Sequence, residues 1–250
     1  MRIEDCVAFV TGAAGGIGTP LVAALAARGA RRIHAVDLAG PLAQAAFPEG
    51  AGVEPLTLDV TDEAAAQRAA EHCAGVTLVI NNAAIVAWEG VMSAPDLSTA
   101  RTVFEINYWG YLHVARAFAP VLARNGGGAM ANVLSEVARV NAPFCGSYSA
   151  SKAAVWSATQ CMRAELAAQG THVLAVFPSS TDTPMVAGFG GEKQPPEAVA
   201  DGICDALEEG VEDVCIGAHS LYTEALMRRD PKAGEHEFGA MLPGADAIPD

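Results

Sequence analysis

The chain has 250 residues, 51% of them apolar and 18% charged, with a formal charge of −14. That length accommodates one large α/β domain or two small ones, and the apolar fraction excludes an intrinsically disordered chain. The acidic balance argues against general binding to nucleic acid or anionic lipid, which needs a basic surface.

No run of about 18 uncharged apolar residues marks a membrane span. The start carries Glu4 and Asp5 where a signal peptide would be basic, so no targeting segment is expected and the expected location is the cytoplasm. Six scattered cysteines (Cys6, Cys73, Cys145, Cys161, Cys204 and Cys215) without a CxxC pair read as buried free thiols of a reducing compartment. The six histidines show no ligand spacing, and no metal site is expected.

Along the chain, short apolar segments rich in β-branched residues alternate with Ala-rich helical stretches. Cys6–Val10 is the first expected strand. It runs into Thr11-Gly12-Ala13-Ala14-Gly15-Gly16-Ile17-Gly18 and a helix over Ile17–Arg28. Glycines there let the backbone approach a pyrophosphate, and the helix start presents unpaired N–H groups to it. Gly12, Ala14, Gly15, Gly16, Ile17 and Gly18 are therefore candidate cofactor contacts, the plainer reading being a tight strand-to-helix turn. A second strand, Arg32–Val36, leads to Asp37, whose carboxylate can accept adenosine ribose hydroxyls and repels a 2′-phosphate. Leu38 follows it, the glycine loop holds no Arg or Lys, and Arg31 and Arg32 lie at the strand's other end. These residues favour NAD over NADP; the alternative is a solvated surface aspartate.

Val53–Leu58 reads as a third strand, Thr61–Cys73 as a helix, and Thr77–Ile80 as a fourth strand closing on Asn81-Asn82-Ala83-Ala84. A long helix over Leu97–Arg124 contains Asn107. The fifth strand, Ala129–Leu134, ends at Ser135, at the carboxyl edge where open α/β sheets bind ligands. On the helix Tyr148–Gln169, Tyr148 and Lys152 are four apart and share a face. A nearby ammonium stabilises a phenolate and so lowers a tyrosine pKa from its usual value of about 10, as proton exchange near neutrality requires. Alone, this spacing is common among helix-surface neighbours; Ser135, Asn107 and the glycine loop give it meaning.

His172–Phe177 is a sixth strand, followed by the loop Ser179–Pro195, a helix over Pro196–Glu209 and a seventh strand, Asp213–Ile216. Asp230-Pro231 marks a helix start in the tail, which ends in a Pro/Gly/Asp-rich stretch. The alternation implies right-handed crossovers and an α/β class: a single Rossmann-type doubly wound domain, its seven-stranded sheet mainly parallel with helices on both faces. Residues 1–250 form one unit, with the core at about 5–217 and a short C-terminal tail from 218.

With these motifs in hand, the chain resembles the short-chain dehydrogenase/reductase family over about residues 5–217. TGxxxGIG matches Thr11–Gly18, the family's Asp-Val pair near the adenine matches Asp59-Val60, and its NNAG motif matches Asn81–Ala84 with Ala84 in place of glycine. The Asn-Ser-Tyr-Lys tetrad maps onto Asn107, Ser135, Tyr148 and Lys152. PGxxxT reads Pro178-Ser179-Ser180-Thr181-Asp182-Thr183, with Ser179 in place of glycine. The resemblance implies further cofactor contacts at Asn82, Ala83, Ala84, Pro178, Ser179, Thr181 and Thr183.

It also implies hydride transfer between an alcohol or ketone carbon and a nicotinamide, with Tyr148 as acid/base. Lys152 would act on the tyrosine and the nicotinamide ribose, Ser135 would hold the substrate oxygen, and Asn107 would hold a backbone kink and a water. Rival readings are an NADPH-dependent ketoreductase of the acyl-carrier-protein type and a non-catalytic NAD(H)-binding redox sensor.

Candidate pocket walls are Val86, Ala87 and Trp88; Glu136, Val137, Asn141 and Cys145; and Met185, Val186 and Phe189. Their apolar character suits a small uncharged alcohol or ketone. Glu136 either selects a polar or cationic group or is a solvent-pointing or structural side chain. The short loop after Thr183 implies an open pocket, with Gly188, Gly190 and Gly191 forming either a flap or a plain connector. Apolar residues around the two long helices, including Phe118, Leu122, Val155 and Trp156, point to a homodimer or homotetramer or to burial against the chain's own sheet.

Overall fold

The computed structural model describes residues 1–188 and 190–243. In chain order these form β1 (Val7–Thr11), α1 (Gly18–Ala27), β2 (Arg32–Asp37), the single turn α2 (Ala39–Leu42), β3 (Val53–Thr57), α3 (Glu63–His72) and β4 (Leu78–Asn81). Next come α4 (Ser98–Phe104), a π-helical turn over Glu105–Trp109, α5 (Gly110–Arg124), β5 (Ala129–Val133) and α6 (Gly146–Leu166). The chain continues through β6 (His172–Pro178), α7 (Pro196–Glu209) and β7 (Asp213–Ile216), then α8 (Ala218–Arg229) and α9 (Pro231–Gly239). All seven strands fall within a residue of their expected bounds, because each is a short apolar run between turn residues.

The seven strands form one sheet in the order β3-β2-β1-β4-β5-β6-β7, and every pair is parallel. Alternate side chains leave the sheet on opposite faces. Ala8 and Val10 of β1 thus join Leu21, Leu25 and Ile203 on the face covered by α1 and α7. Val7 and Phe9 join Ala66, Val114 and Phe118 beneath α3 and α5 on the other. The rings of Phe9 and Phe118 lie 4.2 Å apart. With β1, β4 and β5 buried on both faces, their near-continuous apolar composition follows from the architecture.

Registers such as Thr11 opposite Val36, Asn81 opposite Asn132 and Val133 opposite Val176 align the carboxyl ends of the strands. One sheet edge therefore carries Thr11, Asp37, Asn81, Ser135 and Pro178 together.

Three expectations change. The tail holds two helices rather than one, since α8 begins directly after Gly217. Asp230 does cap the second, accepting the Ala233 N–H at 3.0 Å. Cys161 is exposed on α6 and Cys215 is half-buried, so only Cys6, Cys73, Cys145 and Cys204 are buried thiols. The long helix over 97–124 is interrupted by the π turn, which hydropathy alone does not mark. Among the described residues, no helix is long and apolar enough to cross a membrane.

A polar thread crosses the core. Asn81 Nδ2 donates to Asn132 Oδ1 at 2.9 Å, and Asn132 Nδ2 donates to Thr159 Oγ1 at 2.9 Å, fastening β4, β5 and α6. Asn132→Ala leaves both partners buried without it. The expected cost is about 1–3 kcal/mol in urea unfolding, with no change in the transition's slope.

Candidate active site

The loop from β1 to α1 turns at Gly12, whose φ of +64° suits glycine, and a Cβ there would lie 2.8 Å from Ala83 Cα. A Cβ on Gly16 would lie 2.5 Å from Thr183 Cβ. The loop is thus packed against the ends of β4 and β6, and only the lack of side chains permits it. Gly18 begins α1 and faces inward, where a Cβ would meet the Gly12 carbonyl at 2.0 Å. Asn82 holds the loop from the other side, its Nδ2 donating to the carbonyls of Thr11 at 3.0 Å and Gly12 at 3.1 Å. Asp37 accepts the N–H of Ala14 at 3.0 Å and of Leu38 at 2.8 Å. It therefore fixes the loop as well as offering acceptor positions on both oxygens. Asp59 accepts from the N–H and hydroxyl of Thr61 at 2.9 and 2.7 Å.

These groups line one cavity of about 810 Å³ that extends past Ser135, Tyr148 and Lys152. Every proposed cofactor contact except Gly18 lines it: Gly12, Ala14, Gly15, Gly16, Ile17, Asp37, Leu38, Asp59, Val60, Asn82, Ala83, Ala84, Tyr148, Lys152, Pro178, Ser179, Thr181 and Thr183. The fit to a dinucleotide rests on the loop, where the side-chain-free backbone of Gly12, Gly15 and Gly16 and the N-cap residue of α1, Ile17, border the cavity. Ser179, which replaces a glycine of the family motif, is accommodated across the strand end. A Cβ on Gly217 would come within 2.2 Å of its Oγ.

Asn107 lies in the π turn, fully buried and outside the cavity wall. Its Oδ1 accepts the Ile85 N–H at 2.9 Å, while Nδ2 donates to the Ile85 carbonyl at 2.9 Å and to Ser151 Oγ at 3.0 Å. It ties the segment after β4 to α6 and so sets the wall beside Tyr148. The expected kink takes the form of this wider turn.

Ser135 caps a 3-10 turn, Glu136–Ala138, and accepts the Val137 N–H at 3.4 Å. Burial raises the Tyr148 phenol, Cys145 adds to this, hydrogen bonding with Ser135 opposes it, and Glu136 raises it again. This corrects the expectation of a lowered tyrosine. Burial also lowers Lys152 to about 7, and its ammonium sits 5.7 Å from the Tyr148 ring. Nζ bonds instead to Tyr111 Oη at 3.1 Å and to the Val133 carbonyl at 2.9 Å.

Of the expected substrate walls, Val86, Trp88, Glu136, Val137, Cys145, Met185 and Val186 line the cavity. Ala87 is buried elsewhere, Asn141 is exposed, and Phe189 lies outside the described residues. Glu136 does not point to solvent. It is 8% exposed, and its Oε2 meets His219 Nδ1 at 2.7 Å and accepts from Thr223 Oγ1 at 3.4 Å. Burial raises its carboxyl, while His219 and Thr223 pull it down.

The cover absent from the short loop comes from the chain's end, since His219, Phe238 and Met241 also form part of the wall. These three, with Ala142, Phe144, Gln194 and the buried Tyr111, were missed by sequence reading. A helix start at Asp230 was the only sign that the tail is ordered.

The sequence profile of the family described as short chain dehydrogenase matches residues 6–194. The 1-deoxy-11-beta-hydroxypentalenate dehydrogenase of Streptomyces avermitilis is 37% identical over 202 residues, covering 76% of this chain and 73% of that protein. Galactitol 2-dehydrogenase of Agrobacterium fabrum is 36% identical over 188 residues, covering 73% of each. A crystal structure of a short chain dehydrogenase from Burkholderia cenocepacia in complex with NADP superposes with a TM-score of 0.89 at 38% identity, covering 98% of this chain and 100% of that one. The chain belongs to the short-chain dehydrogenase/reductase family and is an oxidoreductase of the kind that uses a nicotinamide cofactor.

Gly16→Ala tests the loop. The added methyl must displace Thr183, and dinucleotide affinity is expected to fall by roughly tenfold or more in a fluorescence titration, with the fold retained.

Proposed function

We propose that this protein interconverts a secondary alcohol and a ketone with NAD(H), using Tyr148 as the acid/base. The observation that carries the reading is that one cavity joins Asp37, the glycine loop, Ser135, Tyr148 and Lys152. A bound nicotinamide supplies the hydride chemistry. Ser135 holds the reacting oxygen beside Tyr148 and donates to developing negative charge on it.

With its phenol raised by burial, Tyr148 holds its proton at neutral pH, the state from which it protonates a ketone oxygen. Lys152 must be charged to favour the phenolate left behind. Its pKa of about 7 makes reduction fall as pH rises through that region. Asn107 acts outside the cavity, by holding the wall that carries these groups. Tyr148→Phe is expected to lower kcat by about 10²–10⁴ while cofactor binding persists. Full turnover by that variant would refute the assignment. Tight cofactor binding without turnover across a broad alcohol panel would instead favour a redox sensor.

Charge supports NAD over NADP. Asp37 faces the cavity at the β2 end, and the cavity's Lys and His side chains, Lys152, Lys193 and His219, come from segments beyond β5. Among the described residues, no cation lining that end of the cavity offsets the repulsion between Asp37 and a 2′-phosphate. The NADP in the Burkholderia cenocepacia relative favours the second reading. Comparing kcat/KM for the two cofactors separates them: NAD should be preferred, and Asp37→Ser should move the ratio toward NADP by about tenfold or more.

The substrate we favour is uncharged and largely apolar, given walls of Val86, Trp88, Phe144, Met185 and Phe238. Phe118, Leu122 and Val155 are buried in the chain's own core. The homo-oligomer we propose therefore rests on Leu97 and Trp109, 58% and 45% exposed along the α4–α5 helix. Trp109→Lys should lower the mass seen by light scattering.

A further inference from the structure

Lys152 and Tyr111 are both almost wholly buried, at 1% and 2% exposure, and each holds the other by its polar end. Tyr111 Oη donates its one hydrogen to the Val133 carbonyl at 2.8 Å. Toward Lys152 Nζ, 3.1 Å away, it can therefore only accept. The same Val133 carbonyl takes a second N–H of Nζ at 2.9 Å. Two of the ammonium's three hydrogens are so committed, and one remains for the cavity. The ammonium also lies 4.9 Å from the Tyr111 ring centroid, within reach of a cation–π attraction.

We propose that Tyr111 is a positioning residue for Lys152, its hydroxyl and the Val133 carbonyl together fixing where the ammonium stands and which single N–H it turns toward Tyr148 and the cofactor. The inference rests on the reading of Lys152 as part of the reacting site. Without the hydroxyl, a buried ammonium keeps one acceptor and loses much of what offsets its desolvation.

Tyr111 is well suited to the task because its own phenol is raised well above the ordinary value, by burial first and by Tyr148 second. It stays a neutral dipole across the working range. The titratable groups around the pair are few. Tyr148 faces Lys152 from the same helix, and Cys145 and Glu136 act in turn on Tyr148. Burial is what brings the lysine down to about 7, so a lost acceptor should move it further down.

The chain contains three lysines, Lys152, Lys193 and Lys232, and only Lys152 is buried. That makes a direct reading practical by carbon NMR of ε-labelled lysine, with Lys152→Arg identifying the resonance. In the wild-type protein Lys152 is expected to titrate well below the other two. In Tyr111→Phe it should lose its proton at a pH lower by about one unit, a tenfold loss in proton affinity. The alkaline limb of kcat for ketone reduction should move down by the same amount, with the ketone KM within about twofold of wild type. Tyr111→Leu removes the same hydroxyl and serves as the second variant, with thermal unfolding used to check both folds.

Identical Lys152 titration in wild type and variant overturns the proposal. So does one common transition for all three lysines in the wild type, or a fall in kcat by the same factor at every pH. The NMR titration needs no turnover. A failed alcohol screen with an intact Lys152 shift therefore counts against the proposed reaction and leaves the Tyr111 contact standing.

Discussion

Everything in this molecule depends on the way the chain winds outward from β1 in both directions. β2 and β3 build to one side, and β4 to β7 then build to the other. Because right-handed crossovers carry the connections, segments leaving β1 and β4 diverge at their carboxyl ends and a crevice opens between them. Parallel registers bring every other strand end to the same edge. Residues far apart in the chain, from Gly12 to Met241, thereby share one cavity. The crevice is held at its width by contacts that exclude side chains, with Gly12 against Ala83 and Gly16 against Thr183.

Within that crevice, burial sets the protonation of Tyr148 and Lys152 more than their mutual attraction does. Water is displaced from both Tyr148 and Lys152, which favours the neutral form of each. Neighbours act on top of that burial: Cys145 and then Ser135 on the phenol, while Tyr111 and the Val133 carbonyl hold the ammonium.

The strands were legible because burial on two faces forces apolar, β-branched runs, and the glycine loop because its geometry admits few other residues. Tyr148, Lys152 and Ser135 were legible as a constellation, and they do line one cavity. What stayed hidden depends on three-dimensional packing. An ordinary helix places residues four apart on one face, but no residue pattern marks the π turn around Asn107, directly ahead of Tyr111. The sequence left Glu136 open between a solvent-pointing, a structural and a substrate-selecting side chain because its partners, His219 and Thr223, lie more than eighty residues away. The C-terminal wall was obscured for the same reason, since Phe238 meets Val137, Val140 and Cys145 only after the fold closes.

The part of the chain that matches the family ends at Gln194, whereas the helices that bring His219 and Phe238 to the cavity begin at Ala218. The cavity wall is therefore drawn from two stretches: Val86, Trp88, Phe144 and Met185 lie within the profile match, and His219, Phe238 and Met241 lie beyond it. Substitutions in the last two helices can reshape that part of the cavity without touching the glycine loop, Tyr148 or Lys152. The Glu136–His219 contact is the seam between the two. Glu136 directly follows Ser135, so a change at His219 reaches the residue beside that serine.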